Sequence, residues 1–126
     1  MIQQNEDSTY LKGDVIWLKE DASINLGKNV QDINRPFVIV SNNTNNRFAP
    51  TVNIACLTKQ INKCNYPMHV LLKGEDYNFD YNFIICTEQI ITVNKDFISN
   101  KKFCLKKEDL NKLNKALSIQ LINEFV

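Results

Sequence analysis

Asn34-Arg35-Pro36-Phe37-Val38-Ile39-Val40-Ser41-Asn42-Asn43 joins the most strand-like run of the chain to a charge at its entrance. Pro36 to Val40 are apolar and dominated by β-branched and aromatic side chains, which suits a pleated strand buried on both faces. Pro36 lacks an amide proton, so it fits the first position of a strand and would break a ladder in its middle. Arg35 is thereby held at a rim. A guanidinium at the edge of a rigid sheet has the planar fork that grips a phosphate through two parallel charge-assisted hydrogen bonds. The alternative reading is an Arg that is solvated or ion-paired at a strand end.

Working outward, Gly13-Asp14 turns the polar N-terminal stretch into a first strand, Val15-Ile16-Trp17-Leu18, and Ala22 to Asn34 reads as a long loop. Loops of that size without internal periodicity are uncommon in small domains and often carry function. After the strand from Pro36 to Ser41, Asn42 to Pro50 is an Asn-rich turn region, with Phe48 expected to pin it to the core. Thr51 to Thr58 predicts a third strand and Met68 to Leu72 a fourth, announced by Pro67. Phe83 to Val93 is a fifth, interrupted by Glu88-Gln89. An acid beside an amide inside a buried strand signals either a bulge or a site. From Glu108 onward Leu110, Leu113, Leu117 and Leu121 recur at helical spacing, one apolar stripe facing the sheet. The expectation is a mainly β fold: a small SH3-like antiparallel β-barrel with a C-terminal helix packed across it. Residues 1–9 form a flexible arm in this reading, and residues 10–126 one domain.

The 126 residues, 44% hydrophobic, suffice for one self-supporting core and leave no room for a second. A net charge of +1 excludes a duplex-coating protein, so any nucleic-acid contact is local. No charged-then-apolar leader opens the chain, and no apolar run approaches the roughly 18 residues of a membrane span. A cytoplasmic protein is expected. Cys56, Cys64, Cys86 and Cys104 show no C-x-x-C pairing and His69 is the only histidine, so no metal site is expected. Cys56 and Cys86 fall inside strands and read as buried thiols.

Three polar signals lie at or within strand ends: Arg35, Thr58 and Glu88-Gln89. If consecutive strands pair antiparallel, the start of the second and the end of the third share one sheet edge. Arg35 and Thr58 then meet as a guanidinium and a hydroxyl, able to hold a phosphodiester and the added charge of its transition state. RNA suits such a site because its own 2′-OH supplies the nucleophile.

These residues resemble the MazF/PemK family of toxin endoribonucleases of bacterial toxin–antitoxin systems. The likeness follows the chain from Lys12-Gly13-Asp14-Val15-Ile16-Trp17 through Arg35-Pro36 and Val38 to Asn43. It continues in Thr51 to Thr58, Pro67-x-His69-Val70, Glu88-Gln89-Ile90-x-Thr92 and Leu117-Ser118-Ile119-Gln120-Leu121. The resemblance implies a homodimer that cuts single-stranded RNA, without a cofactor, to 2′,3′-cyclic phosphate and 5′-OH ends, and that a cognate antitoxin protein neutralises. By the same resemblance Arg35 and Thr58 are catalytic, Glu88 matches an acid that takes part in some members, and Gln89 sits at the RNA groove. Asn42, His69 and Trp17 are further RNA-contact candidates. His69 reads as either a general base or a hydrogen-bonded structural imidazole, and Trp17 as either a base-stacking ring or core.

Departures from the family pattern are equally specific. Gln31-Asp32-Ile33-Asn34 replaces a glycine-rich segment, and Ile91 and Cys86 stand where arginines are common. Two non-catalytic readings therefore accompany the nuclease. One is a homologue that binds RNA or antitoxin without cutting. The other is a gyrase poison of the same fold, against which the chain end Asn123-Glu124-Phe125-Val126 argues because it lacks a tryptophan.

Overall fold

The computed structural model describes residues 9–20, 34–59 and 66–124. Most of the expected N-terminal arm, nearly all of the loop before Asn34, Cys64 and the last two residues lie outside the described residues. Among the described residues there are six strands: β1 (Asp14–Leu18), β2 (Phe37–Ile39), β3 (Thr51–Lys59), β4 (His69–Leu72), β5 (Phe83–Asn94) and β6 (Ile98–Cys104). Two α-helices, α1 (Asn43–Phe48) and α2 (Lys107–Leu121), complete the main elements. The strands form one antiparallel sheet in the order β4-β5-β3-β2-β1-β6. The mainly β fold with a C-terminal helix is therefore as the sequence predicts.

Two elements go beyond the sequence reading. β6 is an edge strand of which only Ile98 is buried, and its Ser99-Asn100-Lys101-Lys102 run hides the alternation that marks a strand. Polar, lysine-bearing edges are a common protection against sheet-to-sheet association. α1 replaces the expected turn. Its N-cap is Asn42, whose side-chain oxygen accepts from the Asn45 amide at 2.9 Å. Asn46 is buried and donates to the Ser41 carbonyl at 2.9 Å while its own side-chain oxygen accepts from the Ser41 hydroxyl. Phe48 does not pin this segment: it is 75% exposed, with the Arg47 guanidinium over its ring.

Strand alternation sorts the core into two faces. Val15, Val38, Ala55, Leu57 and Ile85 pack with Leu113, Ala116 and Leu117 of α2, whereas Ile16, Phe37, Ile54, Cys56, Ile84 and Cys86 form the opposite cluster. Leu121 leaves the apolar stripe of α2 and is 65% exposed. The start of α2 is tied down by Tyr77, whose hydroxyl donates to Asp109 at 2.5 Å and accepts from the Lys106 amide at 2.9 Å. Tyr77 ends a short 3-10 helix, Gly74–Tyr77. A side chain at Gly74 would place its Cβ 1.9 Å from the Tyr81 carbonyl oxygen, so that turn closes only around glycine.

The pairing of β3 with β5 contains the irregularity that matters for function. Thr58 pairs with Ile84 and Leu57 with Ile85, but Ala55 pairs with Ile90. Cys86, Thr87, Glu88 and Gln89 thus stand against Cys56 alone. The interruption read from Glu88-Gln89 is this bulge. Thr87 is fully buried within it and its hydroxyl donates to the Met68 carbonyl.

Candidate active site

β2 and β3 pair with Phe37 opposite Cys56, Val38 opposite Ala55 and Ile39 opposite Ile54. Continuing that register two residues beyond Phe37 and Cys56 sets Arg35 opposite Thr58. Arg35 Nη1 donates to Thr58 Oγ1 at 2.8 Å. Pro36 fixes the approach, its carbonyl accepting from the Leu57 amide at 3.0 Å. Arg35 Nε is buried and has no hydrogen-bond partner among the described residues. A buried donor left unmade costs about 1–3 kcal/mol, which an anionic acceptor would recover.

Beside this pair lies a second. β4 pairs with β5 so that His69 stands opposite Cys86. His69 Nε2 is 2.8 Å from Glu88 Oε1, with the imidazole largely covered and the carboxylate about a third exposed. The Tyr66 ring packs on the imidazole, their centroids 4.8 Å apart. The Cys56 thiol links the two pairs: it donates to Gln89 Oε1 at 3.7 Å and lies within the electrostatic reach of both Arg35 and Glu88. Hydrogen bonding with Cys86 holds the Cys56 thiol below its ordinary range. The Arg35 charge helps, while burial and Glu88 oppose.

Of the residues singled out in the sequence, Arg35, Thr58, Glu88, Gln89 and His69 therefore converge. Asn42 does not: it caps α1 beyond the far end of β2, roughly 20 Å of extended chain from Arg35. There it lines a groove of about 820 Å³ together with Lys12, Asn45, Asn53, Leu117 and Leu121. Burial in that groove lowers the Lys12 ammonium from its ordinary value. Trp17 shares the alternation of Val15, whose face packs α2, so it lies on the sheet face opposite Arg35; the Lys102 ammonium sits over its ring.

Two contributions escaped the sequence reading. Lys112 and Lys115, polar residues of α2, line a cleft of about 300 Å³ with Pro67, His69 and Val70. Their spacing puts them on one helical face, but nothing in the sequence says that this face looks toward His69. Cys56 and Cys86, read as packing thiols, are buried as expected yet also contact the polar residues of the site.

An antiparallel sheet with an Arg–Thr grip beside a His–Glu pair defines a small β-protein equipped to hold an anionic, phosphate-like group and to move protons next to it. Residues 11–121 match the model of PemK-like, MazF-like toxins of type II toxin–antitoxin systems, and the chain belongs to that family. It is 37% identical over 87 residues to the endoribonuclease MazF of Staphylococcus saprophyticus, covering 69% of this chain and 72% of that protein. The endoribonuclease EndoA of Bacillus subtilis is also 37% identical over 87 residues, with 69% and 75% covered. Among solved structures, a mycobacterial endoribonuclease superposes with a TM-score of 0.69 at 23% identity, over 94% of this chain and 96% of the other. A mycobacterial endoribonuclease in complex with its cognate antitoxin gives 0.68 at 23% identity, over 93% and 99%. These structural likenesses show the fold.

Proposed function

We propose that this toxin cleaves single-stranded RNA at short sequence motifs by transesterification. The 2′-oxygen attacks the adjacent phosphorus, the bond from phosphorus to the 5′-oxygen breaks, and the products carry a 2′,3′-cyclic phosphate and a 5′-hydroxyl. The 2′-OH loses its proton to the Glu88–His69 pair and the departing 5′-oxygen takes one up. Arg35 stabilises the charge that builds on the phosphorane oxygens and Thr58 orients the guanidinium. Because the substrate brings its own nucleophile, the reaction needs no cofactor.

The observation that carries this reading is the 2.8 Å Arg35–Thr58 contact with a buried guanidinium N–H left for a further acceptor. The kinship to MazF and EndoA, both named endoribonucleases, supports it, as do Lys112 and Lys115 beside His69 as contacts for flanking phosphates. Gln89, at the floor of the same site, is a base-reading candidate.

The same reading gives a homodimer in the cytoplasm, neutralised by a cognate antitoxin protein. A structurally similar mycobacterial endoribonuclease has been solved in complex with its cognate antitoxin, and MazF of Deinococcus radiodurans has been solved together with MazE. The exposed Leu121 and Ile122, at the mouth of the 820 Å³ groove, are apolar surface suited to such association. No helix among the described residues is long and apolar enough to cross a membrane.

The test is to map the ends of RNA fragments produced in EDTA by the parent chain and by Arg35→Ala and Thr58→Ala variants. Cyclic phosphate ends from the parent, lost in both variants, are expected. Cleavage that survives both substitutions overturns the residue assignment, and a parent that binds RNA without cutting it favours the non-catalytic reading.

A further inference from the structure

The pairing of β4 with β5 gathers three different metal-ligating groups that the sequence keeps apart. His69 faces Cys86 across the strands, and Glu88 follows two residues later within the bulge of β5. One donor atom from each, an imidazole nitrogen, a thiol sulfur and a carboxylate oxygen, all lie within 4.8 Å of one another. Donors at Zn–N, Zn–S and Zn–O distances of about 2.0–2.3 Å around a tetrahedral ion are themselves about 3.5 Å apart, so small side-chain shifts would close the set.

The chemistry of the three donors is selective. A thiolate and an imidazole favour Zn²⁺ over Mg²⁺ or Ca²⁺, which take oxygen ligands. One thiolate and one carboxylate balance a double positive charge, and a neutral imidazole adds none. Burial suits a bound ion as well: Cys86 is nearly enclosed and the imidazole largely so, while Glu88 opens to solvent and leaves a fourth position for water.

We propose that His69, Cys86 and Glu88 bind one Zn²⁺ ion and that the bound ion blocks the toxin. Zinc would occupy both members of the proton-transfer pair, so RNA could be held but not cut. The blocking half rests on the ribonuclease reading; the binding half does not. The C-x-x-C spacing that marks many zinc sites is absent because strand pairing, not local sequence, supplies the proximity.

The test uses the full chain stripped of metal with a chelator. Titration with Co²⁺ is expected to produce a thiolate-to-cobalt charge-transfer band and the visible bands of a tetrahedral ion, at one ion per chain and displaced by Zn²⁺. Cys86→Ser removes the charge-transfer band and His69→Gln weakens binding by about 10-fold or more. Cys104→Ser, on the exposed edge strand, retains both signals. Absence of the band in the parent, or its persistence in Cys86→Ser, overturns the site.

In the second arm RNA cleavage is followed in EDTA and then with Zn²⁺ just above one equivalent. The parent is expected to slow by about 10²-fold or more, as loss of a proton-transfer group would cause, and Cys86→Ser to hold its own metal-free rate. An undiminished rate with zinc bound overturns the blocking role. A parent that fails to cut in EDTA removes the ribonuclease reading and with it the blocking half, while the cobalt spectrum still decides the site.

Discussion

Arg35 reaches across from the start of β2 to Thr58 at the end of β3, Nη1 to Oγ1 at 2.8 Å, and that contact fixes which way the guanidinium faces. Thr58→Val keeps the shape and removes the acceptor, so the guanidinium loses its alignment while the strand stays intact. Single-turnover RNA cleavage should fall about 10-fold or more in Thr58→Val and on the order of 10²-fold to 10³-fold in Arg35→Ala. Arg35→Lys should recover little, since an ammonium cannot reproduce the fork. Circular dichroism melts of all three should stay near the parent's.

Glu88→Gln and His69→Gln separate the two halves of the proposed proton-transfer pair. Each should lower the single-turnover rate by roughly 10²-fold, at the lower end of what a positioned acid or base contributes. The double variant should lose little more than either single one, because groups that work as a unit are not additive. Fully additive losses would mean that the 2.8 Å contact is structural rather than functional.

Burial, reinforced by the adjacent Asp109, raises the Tyr77 phenol well above its ordinary value. The folded chain therefore keeps this proton at pH values where the unfolded chain has released it. The stabilisation is complete below about pH 10 and declines as the pH rises past it. Urea midpoints taken from neutral to strongly alkaline pH should show that decline in the parent and a shallower one in Tyr77→Phe, which has no proton to lose.

Gly74→Ala should be among the more damaging single methyl additions available in this chain, because the new Cβ would fall 1.9 Å from the Tyr81 carbonyl oxygen. Backbone has to move, at a cost of about 1–3 kcal/mol. A lowered urea midpoint with an unchanged slope is the expected signature, and RNA cleavage well below the melting temperature should remain near the parent's.

Legibility in the sequence tracked the strength of local patterning. The Pro36–Val40 run and the leucine spacing of α2 announce themselves, because a doubly buried strand and an amphipathic helix impose strict periods. β6 does not, since an exposed edge needs solubility more than alternation. α1 was hidden for another reason: asparagines favour turns, and only the Asn42 cap and the buried Asn46–Ser41 exchange tip the balance toward a helix. Arg35 with Thr58 was readable because antiparallel pairing of neighbouring strands almost dictates it. The meeting of His69 with Cys86 and Glu88 was not. It depends on where the β4–β5 ladder begins, a register set by packing across the whole sheet.

The bulge opposite Cys56 separates two tasks that a regular ladder would fuse. On either side of it, Leu57–Ile85 and Ala55–Ile90 lock the framework, while the four residues between them answer to no partner on β3 except Cys56. A new side chain at position 89 would alter what the floor of the cleft presents without shifting the rungs above or below. Within one unchanged scaffold, that short detour is where diversification of target choice has room to occur.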